Sequence, residues 1–343
     1  MSDPLRIAYY HRPHHPAFLE SMAQAKGCAL VEVPEGTEAE AGRAMLAECE
    51  GYYVKATRDE LPQPYHVTGD LLERMPNLLL VASYGAGYDT VDVDACTRAG
   101  VAVCNQSGGN AEAVAEHALA FILTLLKRIP EASEAIAAGT AADRSRLLGT
   151  ELYGRTVGLV GIGHIGTRMA EILALFRCRV LACDPAHDTE AVAARGAEKV
   201  DLPTLMAESD IVSIHCPLSA QTRGMIGAAE LGLMRPGGLL ISTARGGIHD
   251  EDAVLAALED GHLAGAGLDV WATEPPATDY ALARHPRVIA TSHTAGVTHE
   301  SRTRLGTMAA QAFQDLAAGR APYNFLNPEV GGRFMARLAD RLS

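Results

Sequence analysis

Short apolar runs alternate with segments of helical periodicity along the whole chain. In the first third, the β-branched and aliphatic runs predict strands over residues 5–10, 28–33, 51–56, 78–82 and 101–104. The segments between them predict helices over residues 16–26, 37–49, 68–75 and 92–99. Alternation of strand and helix is typical of right-handed crossovers and of a parallel sheet with helices on both faces.

A second block of the same kind follows a long helical segment over residues 111–138, which Pro130 interrupts, and a loop over 139–154. Its strands are predicted over residues 156–160, 179–183, 211–215, 239–243, 265–270 and 287–290. The last predicted helix, 300–318, has no strand after it, so we expect it to pack on the first block. The pattern predicts an α/β protein of two doubly wound parallel-sheet domains, residues 109–296 being inserted into a discontinuous domain of residues 1–108 and 297–343.

Composition narrows the function classes. The 343 residues are 48% hydrophobic and 21% charged, which is ordinary for a globular protein. The formal net charge of −13 argues against nucleic-acid binding, which needs a clustered positive surface. The longest apolar run, residues 118–126, is about half of the ~20 residues that a membrane span requires. Seven cysteines without a Cys-x-x-Cys pair, and no signal peptide at the N-terminus, lead us to expect a cytoplasmic protein with reduced thiols.

A glycine-rich motif directly follows the predicted strand 156–160. Gly161, Gly163 and Gly166 fit the pattern G-x-G-x-x-G, with His164 and Ile165 between the last two. Such a turn brings backbone N–H groups and a helix N-terminus to the phosphates of a dinucleotide. Asp184 ends the next strand, 18 residues after Gly166, where an acid binds the adenosine ribose. No Arg follows it in 185–188, so the sequence predicts NAD rather than NADP.

Three charged side chains follow consecutive strands of the second block: Arg245, Glu274 and His293. Each alone has a structural explanation, but the carboxyl ends of parallel strands meet at one edge of a sheet, beside the expected nicotinamide site. Reduction of a ketone by hydride needs a proton donor with a pKa near neutrality, which a His beside a carboxylate provides. Arg binds a substrate carboxylate bidentately. The set therefore predicts hydride transfer to a 2-oxo acid.

The sequence resembles the D-isomer-specific 2-hydroxyacid dehydrogenase family, which includes 3-phosphoglycerate, glyoxylate/hydroxypyruvate and D-lactate enzymes. The resemblance covers residues 51–318 in the family's order. The motifs that carry it, besides the glycine motif and Asp184, are Ser83–Asp89, Val114–His117, His215–Leu218, Thr243–Gly247, Gly267–Val270 with Glu274-Pro275, and Ser292–Gly296. It implies a Rossmann NAD-binding domain inserted into a flavodoxin-like substrate domain, and a homodimer.

The resemblance also implies residue roles. His293 is similar to the acid/base, Glu274 to its carboxylate partner, and Arg245 to the residue that holds the substrate carboxylate and carbonyl. The implied cofactor-site residues beyond the glycine motif and Asp184 are His215, Cys216, Pro217, Thr243, Ala244, Asp269 and Ala295. The implied substrate-site residues besides Arg245 are Gly85, Ala86, Gly87 and Lys55. No metal is expected, although the sequence His11–His15 contains three histidines.

The family pattern is broken at three positions. Ser242 replaces a frequent Asn, Ser292 a common Pro, and Trp271 a usual Phe or other apolar residue. These changes do not alter the expected reaction, but they weaken any assignment of the substrate. Glyoxylate or hydroxypyruvate is the favoured substrate. 3-Phosphoglycerate chemistry is the alternative, because Lys55 or Arg58 could bind a second anion.

Two other functions stay open. One is an enzyme of the same fold that oxidises formate or phosphite, which the complete Arg, Glu and His set disfavours. The other is a non-enzymatic NAD-sensing scaffold like the family's corepressors, for which a long interaction tail would be expected.

Overall fold

The structure, a computed structural model, describes residues 3–343. Contacts along the chain divide it into two units. The first unit comprises the residues up to Asn110 together with Thr298–Ser343, and the second comprises Ala111–Val297.

The first unit contains a five-stranded parallel sheet in the order β2-β1-β3-β4-β5, the flavodoxin-like order. Its strands are β1 (Leu5–Tyr10), β2 (Cys28–Val33), β3 (Gly51–Val54), β4 (Leu80–Ser83) and β5 (Ala102–Cys104). Its helices are α1 (Ala17–Ala23), α2 (Ala39–Ala47), α3 (Gly69–Arg74), α4 (Val93–Ala99), α12 (His299–Ala317) and α13 (Gly331–Leu342). The inner strands β3 and β4 are buried along their whole length, as expected of a sheet covered on both faces.

The second unit contains a seven-stranded parallel sheet in the order β12-β11-β10-β9-β6-β7-β8. Its strands are β6 (Thr156–Val160), β7 (Arg179–Cys183), β8 (Glu198–Lys199), β9 (Ile211–Ile214), β10 (Gly238–Ser242), β11 (Leu263–Leu268) and β12 (Val288–Ala290). Its helices are α5 (Ala111–Lys127), α6 (Ile129–Ala137), α7 (His164–Leu175), α8 (Thr189–Ala193), α9 (Leu202–Glu208), α10 (Ala228–Leu233) and α11 (Glu251–Glu259). The strand order reverses between β6 and β9. Open α/β sheets bind ligands in the crevice at the carboxyl ends of the strands beside such a reversal.

The helix α12 returns to the first unit, as the sequence predicts, and packs on α1. Small residues make this close packing possible. A Cβ on Gly306 would lie 2.9 Å from the backbone nitrogen of Phe18, so a larger residue would push the two helices apart. The interface is completed by Phe313, which is fully buried.

Three elements differ from the sequence prediction. The helix expected over 111–138 is two helices, because Arg128 adopts a left-handed conformation (φ 53°) between α5 and α6. Pro130 lies in the first turn of α6. Backbone N–H groups in the first turn have no acceptor within the helix, so proline costs no hydrogen bond there. The two-residue strand β8 and the C-terminal helix α13 were not predicted. The second of these begins at two glycines, which weaken a helical pattern.

Candidate active site

The turn after β6 has the geometry that the glycine pattern predicts. Gly161 adopts φ +96°, and a Cβ on it would lie 2.8 Å from the backbone nitrogen of Cys216. A Cβ on Gly166 would lie 2.3 Å from the Gly161 carbonyl oxygen, so α7 can approach β6 only with glycine there. A Cβ on Gly163 would meet no atom within 4 Å, so space is open at the start of α7. His164 and Ile165 begin that helix without a side-chain cap, which leaves N–H groups for phosphate oxygens.

Asp184 follows the last residue of β7, and its carboxylate is hydrogen-bonded to the glycine turn after β6. Its Oδ2 accepts a hydrogen bond from the Ile162 backbone N–H over 2.9 Å, and its Oδ1 accepts one from the Ala186 N–H over 2.9 Å. Partial burial opposes ionisation, but these two N–H donors and the nearby His187 hold the pKa of Asp184 below its ordinary value. The carboxylate is therefore charged at neutral pH and fixed beside the glycine turn.

The loops after β9 and β10 carry buried polar groups that the protein leaves unsatisfied. His215 bonds to Ser213 Oγ through Nε2 at 2.9 Å, and burial lowers its pKa to about 4, so the ring is neutral. Within residues 3–343, its Nδ1 and the Thr243 hydroxyl have no hydrogen-bond partner. Cys216, Pro217 and Ala244 form the adjoining backbone. Because buried polar atoms are normally paired, these atoms fit a polar ligand such as a dinucleotide at this edge.

The His293 imidazole and the Glu274 carboxylate form a close pair. Nδ1 of His293 lies 2.7 Å from Oε2 of Glu274, and the backbone N–H of Trp271 donates to Oε1 over 3.0 Å. Burial alone would lower the pKa of His293, but the Glu274 carboxylate raises it above its ordinary value. Burial would raise the pKa of Glu274, but His293 and the Trp271 N–H lower it. The pair thus favours an imidazolium beside a carboxylate.

Arg245, three residues past β10, belongs to the same group of charges. Its Nη1 donates to the Ala244 carbonyl over 2.7 Å. Its positive charge lowers the pKa of both Glu274 and His293, which places the guanidinium within electrostatic reach of the pair. The structure therefore brings together the three charged residues that the sequence selects.

Asp269 holds the loop that carries His293. Its fully buried carboxylate accepts hydrogen bonds from the Thr291 hydroxyl at 2.5 Å, the Thr294 N–H at 2.8 Å and the Ala295 N–H at 2.9 Å. Its carbonyl accepts the His293 N–H over 2.7 Å. These bonds fix His293 in the left-handed region, at φ 54°, which costs energy for a residue other than glycine. The nicotinamide contact implied for Asp269 stays a prediction, and the carboxylate already has these partners.

Trp271 completes the support of the pair. Its indole N–H donates to the Thr291 carbonyl over 2.9 Å, while its backbone N–H donates to Glu274. One residue thus links the loop of His293 to the loop of Glu274. The sequence marked Trp271 only as an unusual residue in the family pattern, since a backbone acceptor twenty residues away leaves no local signal.

The first unit carries the predicted substrate loop after β4. The Gly85 N–H donates to the Gln106 side chain over 2.8 Å, and Asn105 donates to the Ala86 carbonyl over 2.8 Å. Among the described residues, the N–H groups of Ala86 and Gly87 have no hydrogen-bond acceptor, and the substrate contact implied for this loop stays a prediction. Gln106 was not selected from the sequence.

Lys55 and Arg58 differ in their surroundings. Lys55 directly follows β3, is half-buried and lines a small cavity with Arg12 and Tyr84. The exposed Arg58 donates from Nε to the Asp89 carbonyl over 3.0 Å.

The histidines near the N-terminus do not form a metal site. His11 lies 3.4 Å from a Glu35 oxygen, and His14 lies 3.3 Å from a Glu60 oxygen. Across residues 3–343, no three His, Cys, Asp or Glu side chains are grouped as metal ligands would be. None of the helices in that part of the chain combines the length and apolar character needed to cross a bilayer.

Comparison with known proteins decides the family. The NAD-binding domain model of the D-isomer specific 2-hydroxyacid dehydrogenases matches residues 119–295. A glyoxylate reductase from Aeropyrum pernix is 39% identical over 267 residues, which are 76% of this chain and 80% of that protein. The chain belongs to the D-isomer specific 2-hydroxyacid dehydrogenase family.

Two further comparisons define what the dehydrogenase is similar to. A D-3-phosphoglycerate dehydrogenase of Mycobacterium tuberculosis is 40% identical over 266 residues, which are 78% of this chain and 50% of that protein. The chain thus spans about half the length of the phosphoglycerate dehydrogenases it matches. The D-lactate dehydrogenase of Aquifex aeolicus, solved with NAD and lactic acid, aligns with a TM-score of 0.80 at 28% identity, over 94% of this chain and 99% of that chain.

The family confirms three sequence predictions. The fold is two parallel-sheet α/β domains, a Rossmann domain and a substrate domain. The dehydrogenase is an oxidoreductase that acts on the CH–OH group of 2-hydroxy acids. Its cofactor is a nicotinamide dinucleotide.

Proposed function

We propose that this dehydrogenase interconverts a 2-oxo acid and the corresponding D-2-hydroxy acid, with His293 as acid/base, Glu274 as its partner and Arg245 on the substrate carboxylate and carbonyl. The observation that carries the proposal is the 2.7 Å pair of His293 and Glu274 with the Arg245 charge in reach. A general acid with a raised pKa and a cation for an anionic substrate are the two groups that this reduction needs.

Each side chain has a separate task. The bound nicotinamide would supply the hydride to the carbonyl carbon. Since Nδ1 of His293 engages Glu274, Nε2 is the nitrogen left to give a proton to the developing alkoxide, and to take one in the oxidation direction. Glu274 fixes the ring and stabilises the imidazolium. Arg245 neutralises the substrate carboxylate and polarises its carbonyl.

The cofactor is NAD rather than NADP. Support comes from Asp184, which is charged, held at the end of β7 beside the glycine turn, and would repel a 2′-phosphate. His215, Thr243 and the backbone around Cys216 and Ala244 would complete the cofactor site through the unpaired polar atoms described above.

Two substrate classes match the known relatives. Glyoxylate, and with it the chemically similar hydroxypyruvate, is the first candidate, and the similarity to the glyoxylate reductase of Aeropyrum pernix over 80% of that protein supports glyoxylate. 3-Phosphohydroxypyruvate is the second candidate, and the cations around Lys55 favour it.

Exposed apolar side chains of the second unit support a homodimer. Ile136 and Leu148 are 73% and 76% exposed, and Ile129 and Tyr153 are more than half exposed. Ile129 and Ile136 lie seven positions apart on α6 and therefore on one face of that helix, and an exposed apolar face is typical of an interaction surface. All seven cysteines are free, which supports the cytoplasm as the compartment.

The proposed reaction is tested by loss of NADH absorbance with glyoxylate, hydroxypyruvate, pyruvate, phenylpyruvate and 3-phosphohydroxypyruvate, repeated with NADPH. Turnover of one acid with a kcat/KM above about 10⁴ M⁻¹s⁻¹, and preference for NADH, is the expected result. No turnover of any acid, although NADH binds, would contradict the proposal.

A further inference from the structure

His117, in the second turn of α5, is a half-buried imidazole that the proposed mechanism does not use. Its ring packs edge-to-face on Phe121, one turn further along the helix, with the two ring centroids 4.5 Å apart. Phe121 in turn lies against β11, since a Cβ on Gly267 would stand 2.6 Å from its Cγ atom. This packing holds α5 against the carboxyl end of β11, the strand that Asp269 follows.

The Nε2 atom of His117 lies beside the side chains that support the loop of His293. It is 3.2 Å from the hydroxyl oxygen of Thr291 and 3.9 Å from Oδ1 of Asp269. The Thr291 hydroxyl lies 2.5 Å from the same Oδ1 atom. The three polar atoms therefore form one connected group within the second unit.

The chemistry of these groups sets the direction of both hydrogen bonds. A carboxylate can only accept, so the Thr291 hydroxyl donates its single proton to Asp269. The hydroxyl then has only lone pairs to offer to His117, so Nε2 must be the donor. The neutral ring of His117 therefore carries its proton on Nε2. A ring protonated on Nδ1 instead would draw the hydroxyl proton away from Asp269.

The Asp269 carboxylate connects this arrangement to His293. Besides the hydroxyl, it accepts the N–H groups of Thr294 over 2.8 Å and Ala295 over 2.9 Å. Together with the His293 N–H bond to the Asp269 carbonyl, these bonds hold His293 at φ 54°. Burial lowers the pKa of His293, while the charges of Glu274 and Asp269 raise it. Loss of one donor to Asp269 would therefore loosen a backbone conformation that is costly for histidine.

We propose that His117 is a positioning residue for His293. Its Nε2–H group keeps the Thr291 hydroxyl directed at Asp269, and Asp269 holds the loop in which the acid/base lies. The inference rests on the proposed function, in which His293 exchanges a proton with the substrate. It adds to that function a side chain of α5, which lies 176 residues from His293 along the chain.

Two substitutions of His117 separate the donor from the ring. His117→Phe keeps a ring against Phe121 but has no N–H group, and kcat for NADH oxidation should fall by about two- to tenfold. The pKa seen in the kcat/KM profile should also move. His117→Gln loses the ring but carries an amide N–H at similar reach, so its kcat and its pH profile should be close to those of the wild type.

The route through the hydroxyl is tested by Thr291→Val, which should lower kcat as His117→Phe does. The double variant should be no slower than Thr291→Val alone, because His117 acts through that hydroxyl. His262→Phe is the matched control. Nε2 of His262 lies 2.9 Å from the Leu231 carbonyl oxygen, at the amino end of β11, so this variant loses a similar bond away from the site. Its kcat and pH profile should equal those of the wild type.

A measurement without turnover tests the hydrogen bond itself. A long-range proton–nitrogen NMR spectrum of protein with isotope-labelled histidines, recorded at alkaline pH, shows which ring nitrogen carries the proton. The signals of His117 are those that disappear in His117→Gln. We expect the proton on Nε2, and a proton on Nδ1 would overturn the inference.

The kinetic outcomes separate this inference from the proposed function. Unchanged kcat in a folded His117→Phe variant, or equal losses in the Phe and Gln variants, would overturn the inference and leave the proposed function intact. A lower melting temperature with an unchanged pH profile would mean that His117 only stabilises α5. A double variant slower than Thr291→Val would rule out the route through the hydroxyl. No oxidation of NADH by any 2-oxo acid, with the proton found on Nε2, would overturn the proposed function instead.

Discussion

At the scale of single residues, the mutual effect of His293 and Glu274 governs the pH dependence. The carboxylate raises the pKa of His293, and reduction needs the imidazolium. The kcat/KM for reduction should therefore hold at low pH and fall as the pH rises through that raised pKa. Glu274→Gln removes the charge, so the fall should move to lower pH. The pH profile of kcat/KM for NADH oxidation, compared between the variant and the wild type, measures this shift.

The control for this profile is Glu251→Gln. The Glu251 carboxylate bonds to Tyr280 and to the Ala272 N–H, so it stands near the site without contacting His293. Its profile should match that of the wild type. An unshifted profile in a folded Glu274→Gln variant would show that Glu274 does not set the pKa of His293.

The indole of Trp271 offers a test of positioning. Trp271→Phe keeps an aromatic ring but loses the 2.9 Å bond to the Thr291 carbonyl, worth about 0.5–1.5 kcal/mol. We expect kcat to fall by about two- to tenfold, and the pKa seen in the kcat/KM profile to move. Tyr280→Phe, which keeps the ring that packs on Trp271 and removes only the hydroxyl that donates to Glu251, is the control. A lower melting temperature with unchanged pH profile would mean that Trp271 only fills space.

The residues of the candidate site show which features could be predicted from the sequence and which could not. Arg245, Glu274 and His293 could be selected because each follows a strand and needs only the rule that strand ends converge. The acceptor of the Trp271 indole and the side chain that occupies the Gly85 N–H depend on loop conformation. No periodicity encodes a contact such as that between Gly85 and Gln106, which lie 21 residues apart.

At the scale of elements, substitutions of two glycines in the β6–α7 turn distinguish an effect on stability from an effect on cofactor binding. Gly166→Ala should destabilise the protein by about 1–3 kcal/mol, because its Cβ would lie 2.3 Å from the Gly161 carbonyl oxygen. Gly163→Ala should leave the melting temperature unchanged, because its Cβ meets no protein atom within 4 Å, but should weaken NADH binding. Thermal unfolding and NADH titration measure the two effects. Equal NADH affinity in Gly163→Ala and the wild type would remove Gly163 from the phosphate site.

Elements were predictable where burial enforces a pattern. Apart from β8, the strands of both sheets could be located as short apolar runs, because helices cover both faces of such sheets. The break between α5 and α6 depends on one left-handed residue, Arg128, which has no sequence signature of its own. The two residues of β8 are too few for any period to show.

At the scale of the whole molecule, the exposed apolar residues of α6 and the loop after it predict self-association. Ile136→Asp places a charge on this surface and should convert a dimer into a monomer, as measured by light scattering. Leu233→Asp, at the end of α10 and 46% exposed, is the control and should keep the wild-type mass. A monomeric wild-type protein would contradict the dimer.

The most direct test of the account compares His293→Gln with the wild type on the best substrate of the acid panel. We predict a loss of kcat of about 10²–10⁴-fold with NADH affinity nearly unchanged, since the imidazole supplies a proton and the dinucleotide is held elsewhere. Turnover within a few fold of the wild type, or an equal loss of NADH affinity, would contradict the role assigned to His293.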